Sequence, residues 1–249
     1  MKHCAITVFF RLRKKSRIIK QETGCAHRLY FIIAEKERAM AKLLYVEASP
    51  RKDRSVSIEV AGAFLDAYRQ EHPSDEVDTI DLWNYQLPEF NGETINAKYA
   101  ILMSKMHTAE QIQAWKPVEE VIARFTAADK YLFSIPMWNF GLPYRLKHYL
   151  DILVQPGYTF GYTPMEGYKG LVTGKPAAIV YARGGAYGAE TGAQGYDFQM
   201  PYMNHILGFI GFTDIRPIVV EPMLMAEVHD KARIIKSAIT EAKALARTF

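Results

Sequence analysis

The sequence predicts a doubly wound α/β domain built on a five-stranded parallel sheet in the order 2-1-3-4-5. Two observations carry that expectation. Short runs of strand length recur along residues 40–249, most of them followed by stretches with apolar positions three and four residues apart, the pattern of strand–helix crossovers. The runs at 131–135 and 175–182 are almost continuously apolar rather than alternating, as strands buried on both faces are. No internal repeat or low-complexity linker interrupts the pattern, so a single domain is expected over 40–249.

Taken in order, residues 43–48 (Leu-Leu-Tyr-Val-Glu-Ala) read as strand 1 and residues 57–71 as a helix. Val60, Ala63, Phe64 and Ala67 form its apolar face, and His72-Pro73 ends it. Residues 76–82 make a weaker strand 2. The connection over 83–106 is long, with Pro88, Asn91-Gly92 and several aromatic residues. Thr108 and Gln111 have the spacing of a capping box and open helical sequence to residue 128, which Pro117 kinks or divides. Strand 3 covers 131–135, and Pro136, lacking an N–H, stops its ladder. Pro143 sits where it can open the next helix, whose buried face is Leu146, Tyr149, Leu150 and Leu153. Residues 155–175 read as irregular, with five glycines and two prolines. Strand 4 follows over 175–182, then a Gly-rich loop over 183–195, a helix over 202–209 and strand 5 over 215–220. An amphipathic helix over 226–248 closes the chain.

Charge and cysteine are concentrated at one end. Residues 1–39 hold ten Lys/Arg against three Asp/Glu, a net +7, so the rest carries −3 of the chain's +4. Both cysteines, Cys4 and Cys25, lie there too. The remainder has no broad basic excess for nucleic acid and no thiol for nucleophilic catalysis. No apolar run approaches the roughly 18 residues of a membrane span, and a cytoplasmic location is expected. Met40-Ala41-Lys42 precedes strand 1 directly. The expectation is therefore that Met40 is the functional start, with 1–39 a disordered or non-native extension. A basic membrane or targeting arm is the alternative.

Three loops, after strands 1, 3 and 4, hold the candidate functional residues. The first, Ala48-Ser49-Pro50 through Ser55-Val56-Ser57, runs into a helix, and hydroxyls with free amides at a helix start suit an anion. The simpler reading is that Ser55 only caps that helix. The second, Met137-Trp138-Asn139-Phe140, offers flat apolar surface and backbone amides to a planar heteroaromatic ligand; the simpler reading makes Trp138 and Phe140 core. The third, Ala182-Arg183-Gly184-Gly185, lets backbone approach a ligand edge, with Arg183 placed to face a carbonyl-rich ring. A glycine pair alone more often marks an ordinary turn. No G-x-G-x-x-G follows strand 1. The 170–176 segment is not a P-loop either, its spacing being short and Pro176 standing where a Mg²⁺-binding hydroxyl belongs. In the order 2-1-3-4-5 the three loops are neighbours at the switch point where open α/β sheets bind ligands.

Together these motifs, with Leu146-Lys147, Asp151, Gly157-Tyr158-Thr159-Phe160 and the 208–214 segment Gly-Phe-Ile-Gly-Phe-Thr-Asp, resemble the flavodoxin-like FMN-dependent NADH azoreductases, also described as NADH:quinone oxidoreductases. The resemblance covers residues 40 to about 223. It implies bound FMN, NADH or NADPH as hydride donor, a quinone or azo compound as acceptor, and a homodimer with each flavin near the interface. Carried over by position, the FMN-contacting set is Ser49, Ser55, Val56, Ser57, Met137, Trp138, Asn139, Phe140, Ala182, Arg183, Gly184 and Gly185. Trp138 replaces the family's usual Tyr and keeps a flat ring. Ala182 replaces its usual Ser and leaves only a backbone contact.

Flavin chemistry asks little of the protein beyond binding and orientation, and no metal-ligand or His–carboxylate constellation stands out. His148 and His205 read as packed helix residues rather than catalytic ones. Asn139 is placed to reach flavin N5 through its N–H. Phe140 and the 155–170 residues Tyr158, Phe160 and Tyr162 are the candidates for stacking on substrate, the latter three as a roof. One shared crevice implies ping-pong kinetics. A flavodoxin-type FMN electron carrier without NADH turnover is the main alternative, and a flavin-binding regulator of a protein partner a more distant one.

Overall fold

Five parallel strands form the core of the computed structural model, which describes residues 40–102 and 108–249. The expected extension over 1–39 and the end of the long connection, 103–107, lie outside those residues. Strands β1 (Lys42–Glu47), β2 (Glu76–Asp81) and β3 (Lys130–Pro136) are followed by a short pair, β4 (Phe160–Thr163) and β5 (Gly167–Gly170), and then by β6 (Pro176–Ala182) and β7 (Asp214–Val220). The main sheet runs β2-β1-β3-β6-β7, and β4-β5 form a separate antiparallel hairpin. The numbering departs from the expected 2-1-3-4-5 because that hairpin was not anticipated. The segments expected as strands 4 and 5 are β6 and β7.

Register is fixed by the buried runs: Val46 pairs Phe133, Phe133 pairs Ile179 and Ile179 pairs Pro217. Pro217 is tolerated because β7 is an edge strand. Strands β1, β3 and β6 are buried on both faces, which explains their apolar sequences. One face is covered by α1 (Val56–Glu71) and by the closing helix, Val228–Arg247, whose Ala238, Ala242 and Ala246 let it lie close against the sheet. The other face carries α2 (Gly92–Leu102), α3 (Ala109–Thr126), α4 (Tyr144–Leu153) and α5 (Met200–Ile210), making the closing helix α6. Burying one such large apolar side chain contributes about 1.5–3 kcal/mol, and Phe64, Phe125 and Phe133 are each fully buried.

Three local expectations need correction. The 83–106 connection contains α2, begun where Asn91 Oδ1 accepts the N–H groups of Glu93 and Thr94. Helix α3 is one helix, capped by reciprocal Thr108–Gln111 hydrogen bonds, and Pro117 neither ends nor divides it. The 155–175 segment is not irregular throughout, since it holds the β4-β5 hairpin. A hydrogen bond from Val172 N to Ile210 O joins that hairpin to the end of α5. A Cβ on Gly170 would lie 2.3 Å from the backbone nitrogen of Gly211, so the junction admits only glycine.

The hairpin's position follows from chain direction. Helix α4 starts at the carboxyl end of β3 and runs back, so the segment leading into β6 lies at the amino ends of the strands. Lys175 Nζ accordingly donates to the carbonyls of Thr126 and Ala128, just ahead of β3.

Candidate cofactor and substrate site

The carboxyl ends of β1, β3 and β6 stand side by side, and the loops leaving them converge there. Met137 N donates to Ala182 O at 2.9 Å, tying the second loop to the third. Ala182 thus already uses its carbonyl.

The loop after β1 is built to leave hydroxyls available. Ser49, Ser55 and Ser57 are all buried, Ser57 completely. Ser55 occupies the N-cap position of α1 in extended backbone, yet its side chain makes no capping hydrogen bond. The simple capping role is therefore not what this serine does. Its Oγ lies 3.1 Å from Ser57 Oγ, and Val56 begins the helix whose first N–H groups have no intrahelical acceptor. Ser49 Oγ accepts from Arg51 N at 3.3 Å. Lys52, at φ 50°, reaches back to Glu47 and Asp81 and so fixes the loop rather than facing an anion.

The loop after β3 is a two-residue hairpin turn. Trp138 N donates to Gly141 O at 3.0 Å and Gly141 N to Trp138 O at 2.9 Å. Its central residues, Asn139 (φ 45°) and Phe140 (φ 68°), both have positive φ, as the turn geometry demands. Asn adopts that region readily, whereas Phe pays roughly 1–2 kcal/mol there. Backbone strain of this kind collects at functional sites. Among the described residues, no acceptor takes the N–H of Asn139 or Phe140. Trp138 is half-buried against Trp83 (centroids 5.5 Å) and Tyr144 (6.3 Å), and Trp83 Nε1 donates to Ala48 O, joining this turn to the serine loop. The core-only reading of Phe140 fails: it is 46% exposed, with Tyr196 at 5.5 Å and Tyr187 at 6.4 Å between centroids.

The loop after β6 corrects one expectation directly. Arg183 does not face outward to a ligand ring; it is 3% exposed, and its guanidinium is held by Asp197, Gln199 and Glu221. Gly184 and Gly185 are half-buried beside it. A Cβ on Gly184 would meet Leu224 Cδ1 at 2.8 Å, and one on Gly185 the Tyr187 hydroxyl at 3.2 Å.

The remaining candidates lie elsewhere. Tyr158, Phe160 and Tyr162 belong to the hairpin region at the amino ends of the strands, so within one chain they do not roof this crevice. Tyr158 hydrogen-bonds Glu119 Oε1 at 2.5 Å and accepts from Trp115 Nε1, and burial together with that carboxylate pushes its phenol up. Phe160 packs on Phe209, while Tyr162 is 61% exposed beside Tyr168. His148 is half-buried with Nε2 3.0 Å from Pro88 O, but His205 is exposed and not packed as expected. Trp83, Tyr187 and Tyr196 are the residues that sequence reasoning missed. The aromatic content near Gly184-Gly185 was the available signal for the last two.

The chain's residues fit FMN at this crevice. Two buried hydroxyls whose one side-chain bond is to each other stand at the start of a 16-residue helix, a donor set suited to a phosphate. The outward amides of the 138–141 turn and the exposed Phe140 suit the edge and face of a planar ring. Burial pushes the phenol of Tyr181, on β6, up.

A family model described as flavodoxin-like fold matches residues 41–246. The chain is 46% identical over 208 residues to an FMN-dependent NADH:quinone oxidoreductase of Desulfotalea psychrophila, covering 84% of this chain and 97% of that one. It is 45% identical over 215 residues to FMN-dependent NADH:quinone oxidoreductase 9 of Burkholderia lata, covering 84% and 100%. Among solved structures, an azoreductase from Bacillus anthracis superposes with a TM-score of 0.77 at 33% identity, over 84% of this chain and all of that one.

Proposed function

The chain belongs to the flavodoxin-like family of FMN-dependent NADH:quinone oxidoreductases and azoreductases, and from that premise we propose how its own residues serve the reaction. It is an FMN-dependent NADH:quinone oxidoreductase, with FMN bound and NADH as donor. The chemistry FMN supplies when bound is hydride exchange at its N5 atom, from NADH and then to a quinone or azo acceptor.

The protein's part is to hold and orient. Ser55 and Ser57, with the first amides of α1, bind the phosphate, and Ser49 supports their loop. The N–H of Asn139 would serve the edge of the ring, with Met137, Trp138 and the Gly184-Gly185 backbone as the residues that would hold it. Phe140 stacks on the flat substrate. The observation that carries this reading is the Ser55–Ser57 pair, buried and unused for capping at the helix start.

The functional assembly is a homodimer. The hairpin's exposed tyrosines, Tyr162 and Tyr168, lie at the opposite end of the sheet from their own crevice. A two-fold pairing of copies brings such a hairpin over the other copy's crevice. In this arrangement the expected tyrosine roof is supplied by the partner, above one ring face too shallow for two flat substrates.

A shared crevice makes the donor leave before the acceptor enters. Initial rates against NADH at several fixed quinone concentrations should give parallel double-reciprocal lines. Intersecting lines would refute the shared crevice.

A further inference from the structure

We infer that Arg183 is a positioning residue, whose buried guanidinium locks two loops of the crevice, those after β3 and β6, and the segment after β7 into one rigid frame. This rests on the functional reading above only for which ligand the frame serves.

The guanidinium ties the 197–199 segment to the residue after β7. Nε donates to Gln199 Oε1 at 3.0 Å, Nη1 to Glu221 Oε2 at 3.2 Å, and Nη2 pairs with Asp197 Oδ2 at 3.0 Å. Its flat faces are also used, the group lying 5.3 Å from the Tyr181 ring centroid and 5.9 Å from that of Tyr187. The partners connect these groups to the rest of the frame. Asp197 Oδ1 accepts the N–H groups of Gln199 and Met200, fixing the start of α5. Gln199 Nε2 donates to Ile135 O, directly ahead of Pro136 and the strained turn. Phe198 N donates to Phe140 O at 3.0 Å, so the same segment holds that turn from its far side. Glu221 follows β7, and the backbone there is held again by bonds from Met223 N to Arg183 O and Leu224 N to Gly184 O.

Only arginine fits this role. One planar group hydrogen-bonds Gln199 and Glu221, forms an ion pair with Asp197 and lies against two rings at once, whereas a lysine ammonium is a single point charge that cannot span them. The side chain is 2% exposed, so water cannot replace a lost bond. Sequence alone placed Arg183 at the ligand because it follows a strand beside two glycines; the acids that turn it inward are 14 and 38 residues away.

The test compares wild type, Arg183→Lys and Asp197→Asn, with Phe249→Leu as a control that disturbs packing on the opposite face of the sheet. Phe249 packs on Phe64 and Tyr68 and touches none of the three loops. Amide hydrogen exchange on the purified protein is read at 137–141 and 183–199. Arg183→Lys and Asp197→Asn should exchange at least tenfold faster in both segments, with exchange in α1 and α6 unchanged and FMN affinity lowered at least tenfold. Phe249→Leu should change neither segment. Exchange within twofold of wild type in both arginine-network variants would overturn the proposal, as would equal acceleration in Phe249→Leu. Should the wild-type protein fail to bind FMN, the functional reading falls while the exchange comparison still decides the role of Arg183.

Discussion

Replacing Ser55 and Ser57 by alanine tests the phosphate site at the point where its strength can be worked out. Both side chains are buried, and in the free protein their hydroxyls hold each other at 3.1 Å. Each hydroxyl donated to a phosphate contributes roughly 1.5–3 kcal/mol, as hydrogen bonds to charged groups do. The neutral Ser55–Ser57 bond, about 1 kcal/mol, is given up on binding and offsets part of that gain. The double variant should therefore lose about 2–5 kcal/mol of FMN affinity, a factor between roughly 30 and several thousand at 1.4 kcal/mol per decade. Ser49→Ala should cost less, because Ser49 lies outside the helix start and holds its loop by accepting from Arg51 N. The assay is quenching of FMN fluorescence on titrating apoprotein. The fold should survive, since Ser55 makes no cap bond to lose. A double variant whose affinity stays within threefold of wild type would place the phosphate elsewhere.

Three further outcomes are expected. Gly170→Ala should lower the melting temperature and dissociate the proposed dimer, because its Cβ would meet the Gly211 backbone and detach the hairpin; sedimentation at fixed concentration checks the second effect. Asp78 is held below the usual carboxylate range by its hydrogen bonds with Arg124, aided by Lys42, and a depressed folded value contributes stability that is present above the unfolded value near 3.9 and lost as pH falls through the folded one. Urea midpoints should thus fall below about pH 4 in wild type and less steeply in Asp78→Asn; identical acid slopes would contradict the assignment. Deleting residues 1–39 should leave FMN content and turnover unchanged, since the family match begins at residue 41, and a truncated protein that binds no flavin would make the extension part of the functional unit.

Most of the frame was legible because burial on both faces writes itself into composition. Leu43-Leu44, Tyr131-Leu132-Phe133 and Ile179-Val180 admit little but interior strands, and the Thr108–Gln111 spacing marked its helix start without tertiary help. The hairpin was obscured because its four-residue strands are rich in glycine and pack on Phe209 and the end of α5, which are long-range neighbours. Chain direction, not residue type, puts Tyr158, Phe160 and Tyr162 at the far end of the sheet, and a local reading of aromatic residues could not see it. Arg183 was misread for a similar reason: its direction is decided by Asp197 and Glu221, which only the folded sheet brings together. Helix α2 was hidden by Asn91-Gly92, a turn signal that here starts a helix through the Asn91 side chain.

The most direct test of the account is an anaerobic titration of the purified protein followed by visible absorption. One equivalent of NADH per bound flavin, added with no acceptor present, should bleach the flavin bands, and one equivalent of a planar quinone added afterwards should restore them. Bands that NADH leaves unchanged until quinone is present, or a protein that carries no flavin at all, would contradict it.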